Sequence, residues 1–104
     1  MVSPPFLLSS GQAILSFRHR YSFEADTTHP TNGYDGGVLE IKIGTNAFTD
    51  ITNNGGSFVA NGYNRKIGSQ YGNPFTNRWA WSGTNGSFVT TTVTLPPAAA
   101  GQTN

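Results

Sequence analysis

The chain contains no cysteine, which removes disulfide frameworks, thiolate metal ligands and cysteine nucleophiles together. Charge is scarce as well. Asp, Glu, Lys and Arg make up 11% of the 104 residues, against roughly 25% in an average soluble protein. The formal net charge is +1, and basic residues cluster only as Arg18, Arg20, Arg65 and Lys66. That is too thin to track a phosphate backbone, so nucleic acid is excluded as a partner. No run approaches the roughly 18–20 apolar residues that span a bilayer, so no membrane insertion is expected. The opening Met1-Val-Ser-Pro-Pro-Phe-Leu-Leu8 lacks a basic start and has a Pro pair where a signal peptide carries its apolar core. Any export signal is expected outside this chain.

What the chain does have is aromatic and uncharged polar. Seven Phe, four Tyr and two Trp accompany 13 Gly, enough ring surface to bury and to exclude disorder. The low charge, with Thr, Asn and Gly filling the polar share, resembles secreted β modules of bacteria. Gln12-Ala-Ile-Leu-Ser-Phe-Arg-His-Arg-Tyr-Ser-Phe-Glu24 alternates over thirteen residues. Ala13, Leu15, Phe17, His19, Tyr21 and Phe23 fall on one face, and polar residues dominate the other. Period two marks a β-strand with one packed face, and one-sided burial marks an antiparallel sheet.

Further strands follow the same logic. Residues 5–9 read as a short strand, and Asp26 to Gly37 as a polar loop punctuated by Pro30, Asn32-Gly33 and Gly36-Gly37. Residues 37–43 alternate again, Gly44-Thr-Asn46 is hairpin chemistry, and 47–51 is the return strand. Residues 57–60 form a strand. Asn61 to Gly86 is an aperiodic segment whose rings pin it to a sheet. Ser87 to Leu95 is the last strand, with Val89, Thr91, Val93 and Leu95 on one face. Strands with turn signals between them predict an all-β antiparallel β-sandwich, or jelly roll. Phe17, Tyr21, Leu39, Ile41, Val89 and Val93 are its expected core. Gln102-Thr-Asn104 reads as the approach to another strand, so residues 1–104 are expected to be one domain lacking its terminal strands.

The series Leu15-Ser-Phe-Arg-His-Arg-Tyr-Ser-Phe-Glu24, Tyr34-Asp-Gly-Gly-Val-Leu-Glu-Ile41 and Gly55-Gly-Ser-Phe-Val-Ala-Asn-Gly-Tyr63 carries a resemblance. Arg78-Trp-Ala-Trp-Ser-Gly83, Gly86-Ser-Phe-Val-Thr-Thr-Thr-Val-Thr-Leu-Pro96 and Ala99-Ala-Gly101 continue it. In this order they resemble jelly-roll accessory modules of large secreted or surface bacterial proteins, of the MAM and immune-inhibitor-A-like kind. The resemblance implies a non-catalytic module. Its partner would be the rest of a larger multidomain polypeptide, and beyond that a glycan or a cell-surface protein. It also implies a further strand and a closing region with Trp and Asp after residue 104.

Candidate sites are few. Four of the five acids, Glu24, Asp26, Asp35 and Glu40, lie in one 17-residue window. Oxygen ligands from a loop and adjoining strand ends suit Ca²⁺, and the resemblance also marks Glu24, Asp35 and Glu40 as its ligands. The alternative is a solvated turn whose acids pair with Arg18 and Arg20. His19 falls on the packed face and reads as a hydrogen-bonded core residue, and His29 has no partner at metal-ligand spacing. The aromatics Tyr63, Tyr71, Trp79 and Trp81 are a candidate sugar-stacking platform, with Tyr71, Trp79 and Trp81 as its binding set, or else they staple the 61–86 segment to the sandwich. No Ser/His/Asp order or Gly-x-Ser-x-Gly elbow stands out, so no catalytic residue is assigned. A fragment of a secreted hydrolase is the remaining alternative. Asn85-Gly-Ser87 fits a glycosylation sequon by accident of a polar turn.

Overall fold

The alternation of residues 12–24 becomes an alternation of burial. In the computed structural model, which describes residues 1–9 and 11–104, Ala13, Leu15, Phe17, His19, Tyr21 and Phe23 are half-buried and the residues between them are exposed. Among the described residues the strands are β1 (Ile14–His19), β2 (Asn32–Gly33), β3 (Glu40–Ile41), β4 (Thr49–Asp50), β5 (Ser57–Ala60), β6 (Arg65–Ile67), β7 (Trp79–Ala80) and β8 (Val89–Thr94), followed by a 3₁₀ turn at Pro97–Ala99. One sheet has the order β1-β8-β5, a second β2-β6-β7, and β3 pairs with β4. All pairs are antiparallel except β2 with β6. The chain is thus nearly all-β, built from several antiparallel sheets. No helix among the described residues is long and apolar enough to cross a membrane.

The regular ladders are shorter than the sequence pattern. β1 pairs with β8 from Ile14↔Thr94 to His19↔Val89, and pairing resumes at Ser22↔Thr84. Residues 85–88 therefore lie opposite only residues 20–21, an interruption of the bulge kind that bends the pair without ending its alternation. The expected strand over 37–43 keeps a ladder only at β3, because Gly37 leaves to bridge Trp81. The expected loop over 61–86 contains β6 and β7, strands of three and two residues that are too short to show a period. Residues 102–104 do meet a partner. They run beside residues 6–8, with mutual bonds between Phe6 and Asn104 of 3.0 and 2.8 Å.

Two apolar centres hold the sheets. Ile41, Ile43, Ile51, Val93, Leu95 and Ala99 form the first, with Leu8, Ala13, Leu15, Leu39 and Phe58 packed against it. Of the expected core, Ile41 and Val93 are buried, while Phe17, Tyr21, Leu39 and Val89 are only half-buried. The strand order supplies a reason for three of these: β8 lies between two neighbours, whereas β1 is an edge and Val89 sits at the end of its strand.

The second centre surrounds Trp81. Its ring meets Phe17, His19, Phe58 and Tyr63 edge-on, with centroids 5.9, 4.6, 5.5 and 4.9 Å away. Ile67, Ala80 and Ser82 are buried nearby in sequence and sheet. Gly36 belongs here because the backbone comes too close for a side chain. A Cβ on it would stand 2.7 Å from the Trp81 carbonyl oxygen and 3.0 Å from the Ala80 Cβ.

The polar groups packed around Trp81 are paired, as burial requires. The Trp81 indole N–H donates to the Asn61 carbonyl at 3.0 Å, and the buried Thr91 hydroxyl donates to the same oxygen at 2.8 Å. That uses the only proton of Thr91. His19 Nε2, 2.7 Å from Thr91 Oγ1, must therefore carry a hydrogen and donate.

Ile51→Ala should destabilise by about 2–5 kcal/mol, and Gly36→Ala by about 1–3 kcal/mol through overpacking, both read from denaturant midpoints. Burial holds the His19 imidazole below its ordinary value of 6.5. Below that value the unfolded chain takes up a proton that the folded chain resists. Stability should fall as pH drops from about 7 toward about 5, and His19→Gln should flatten that slope in unfolding curves taken across the range.

Candidate functional site

The acids expected to gather around one loop separate into two places. The Glu24 carbonyl accepts the amides of Tyr34 and Asp35, both at 3.1 Å. The Asp35 carboxylate accepts from its neighbour Gly36 N at 3.0 Å and from Asn73 Nδ2 at 3.3 Å. Glu40 instead lies across from Asp50 in the β3–β4 pair and contacts Arg78 at 3.4 Å. Glu24, Asp35 and Glu40 thus do not converge on one ligand set, and among the described residues no three His, Asp or Glu side chains form a metal-holding group.

Asp26 closes the 26–32 loop on itself. Its carboxylate accepts from Thr28 N and Oγ1, both at 2.8 Å, from His29 N at 3.1 Å and Nδ1 at 2.9 Å, and from Asn32 Nδ2 at 3.2 Å. The Thr28 amide, first among these donors, holds the carboxyl far below its ordinary value of 3.8. Arg65 fastens the loop from outside, its Nη1 donating to the carbonyls of Asp26 and Asn32 at 3.2 and 3.1 Å. The expected partners Arg18 and Arg20 are not in these pairs, and Arg18 lies over the Phe88 ring at 5.8 Å.

The aromatic platform does not form as a set of three. Tyr71 is 69% exposed and meets Tyr34 edge-on at 5.1 Å. Trp79 is 50% exposed, but Trp81 is 6% exposed. The regular strand β7 ends at Ala80, and Trp81 pairs instead with Gly37. The two-residue period that would have matched the two Trp rings does not continue.

Trp79 belongs to a different arrangement. It lines an open cleft of about 480 Å³ together with Phe48, Glu40, Asp50, Tyr63 and Arg78, with Thr49, Thr52, Asn53 and Asn77 completing the wall. Asp50 is the anchor, only 6% exposed. Its Oδ1 accepts from Thr52 N at 3.0 Å and Thr52 Oγ1 at 2.8 Å, an Asx turn that fixes the end of β4. Its Oδ2 meets Arg78 Nη2 at 3.0 Å, and the Tyr63 hydroxyl lies 3.2 Å from both oxygens. That hydroxyl accepts from Leu39 N at 2.8 Å, and its one proton is shared between the Leu39 carbonyl at 3.1 Å and the carboxylate. Burial, with the nearby Asp50 charge, pushes the Tyr63 phenol well above its ordinary range. The hydrogen bond to Asp50 raises the Arg78 guanidinium further. The guanidinium also sits over the Phe75 ring at 4.8 Å. Phe48 and Trp79 flank these groups with about half of each ring in water, at 49% and 50% exposure.

Sequence reasoning found Glu40, Trp79 and, among the aromatics of the same segment, Tyr63, but missed Phe48, Asp50 and Arg78 as their company. Asp50 is the one acid outside the 24–40 window, and Arg78 reaches it across 28 residues. No local pattern announces such a contact. The sequon also changes standing in the fold: the Asn85 amide nitrogen is enclosed without a partner, and its Oδ1 accepts from Tyr21 N at 3.1 Å. The atom a glycan would join is shielded.

Comparison with known proteins returns no match, either to a family, to a curated protein or to a solved structure.

The Asp26 turn makes its own prediction. Its depressed carboxyl contributes stability above pH 3.8, and that contribution should drain away as pH falls from about 4 toward about 2. Asp26→Asn should be less stable at neutral pH and flatter over the acid range, as measured by melting temperature in a pH series.

Proposed function

We propose that the chain is a non-catalytic β-sandwich module of jelly-roll type, similar in kind to MAM and immune-inhibitor-A-like accessory domains. It serves as a structural or interaction part of a larger secreted or surface polypeptide. One observation carries this reading: the side chains with chemical reach are engaged as crosslinks of the scaffold. His19 is bonded to Thr91 and lies against Trp81. The Ser82 hydroxyl donates to the Asp35 carbonyl, so its proton goes to an amide oxygen and not to a base that would activate it. Asp26 closes a loop, and Asp50 ties Tyr63 and Arg78 to the β3–β4 pair. The sandwich reading is supported by Trp81, whose ring follows the β2-β6-β7 sheet and packs on Phe17 and Phe58 of the β1-β8-β5 sheet. The low charge of the chain fits an extracellular setting.

The experiment is to remove the crosslinks singly. Ser82→Ala, Asp50→Asn and His19→Gln should each lower stability, by about 1–3 kcal/mol where a buried partner is left unsatisfied, and none should change hydrolytic turnover. Turnover of a chromogenic ester, peptide or glycoside that one of these variants abolishes at an unchanged melting temperature would overturn the reading.

A further inference from the structure

We propose that the cleft between Phe48 and Trp79 binds a neutral saccharide, one sugar unit of a glycan. This rests on the reading of the chain as an interaction module and names what the module holds.

A pyranose ring presents an apolar C–H face and a rim of hydroxyls, so a site for it needs flat apolar rings beside fixed hydrogen-bonding groups. The cleft supplies both. Phe48 and Trp79 each keep about half of their surface in water at the same opening. Trp81, two residues from Trp79, shows what this fold does with a ring used for packing, and it buries that ring almost completely. The volume of about 480 Å³ lies within the range of small-ligand sites, about 300–1,000 Å³.

The polar groups have spare capacity. Arg78 uses Nη2 for both Glu40 and Asp50, and a guanidinium carries five N–H donors, so donors remain for a ligand. Glu40, its side chain 37% exposed, has open acceptor positions, and Asn53 and Asn77 line the same wall. Asp50 and Tyr63 hold Arg78 in place from the buried side, so the donors are positioned before a ligand arrives.

Charge selects the class. Glu40 and Asp50 carry two negative charges against the one positive charge of Arg78, which leaves the cleft negative by one. The positive charge of Arg78 is already balanced by a carboxylate, so a uronate, sialate or phosphate would meet a net like charge even though donors remain. A neutral, hydroxyl-rich ligand meets donors and acceptors without that repulsion. Tyr71, packed on Tyr34, lies outside the cleft lining and takes no part.

The test uses the whole chain in affinity gel electrophoresis against soluble cellulose derivatives, mixed-linkage β-glucan, xylan, mannan, galactan and glycol chitin, with polygalacturonate as the anionic control. Titration calorimetry with oligosaccharides of any retaining polymer follows. Retention by a neutral glycan is expected, weakened about tenfold or more by Trp79→Ala, as loss of a stacking ring implies. Phe48→Ser and Glu40→Gln should weaken it too, Tyr71→Ala should not, and all four should melt cooperatively. No retention by any neutral glycan, retention only by polygalacturonate, or retention untouched by Trp79→Ala and Phe48→Ser would overturn the saccharide assignment and leave the module reading standing. Release of reducing ends from a bound glycan would instead overturn the non-catalytic reading while keeping the saccharide site.

Discussion

The burial of Trp81 is the constraint on which most of the structure depends. Its indole lies against Phe17 and Phe58 of one sheet, directly after β7 of another, and also touches His19 and Tyr63. A ring of this size brings a large apolar area out of water, yet it carries an N–H that must be satisfied where it ends up. The Asn61 carbonyl meets that need and also accepts from Thr91. Asn61 presents the carbonyl because the chain shifts register between Phe58 and Ala60 and then enters a left-handed conformation at Asn61. The bulge, the turn and the buried ring are parts of one solution.

The loops are held by the same economy of charge. The chain has five acids, and two of them do the work that a longer polar sequence would spread out. Asp26 gathers the donors of Thr28, His29 and Asn32, and Arg65 then reads the carbonyls of that loop from the neighbouring strand. Asp50 gathers Thr52, Tyr63 and Arg78. A buried carboxylate is costly unless it is hydrogen-bonded from several sides, and both are. The difference lies in what surrounds them. The Asp26 turn faces its own loop, whereas Asp50 forms the floor of a cleft with two rings at its mouth. Only the second arrangement leaves donors and acceptors unused next to apolar surface, which is why the binding reading rests there.

Where sequence expectation and structure part, the separation follows from geometry. Asp35 and Glu40 are five residues apart, close in a list of acids, but extended backbone advances about 3.3 Å per residue. With Gly37 drawn to Trp81 and Glu40 paired across from Asp50, the two carboxylates serve different neighbourhoods. Trp79 and Trp81 part for a related reason. A shared face requires a strand that continues, and β7 stops between them.

The amino-acid sequence by itself determined the β character of the chain and the sidedness of its two long strands. The alternation of residues 12–24 reappears as alternating burial, and Thr91, Val93 and Leu95 are buried as their period requires. This was legible because the period of a strand is a local property, set by successive side chains pointing to opposite faces. Tertiary structure alone decided which face residues are fully covered, since that depends on β8 being central and β1 an edge. It alone decided that Asp50, Tyr63 and Arg78 meet, and that Phe48 and Trp79 share an opening. The contacts of Asp50 join residues 13 and 28 positions away beside strands of two or three residues, and a pairing so short and so distant leaves no periodic trace in the chain.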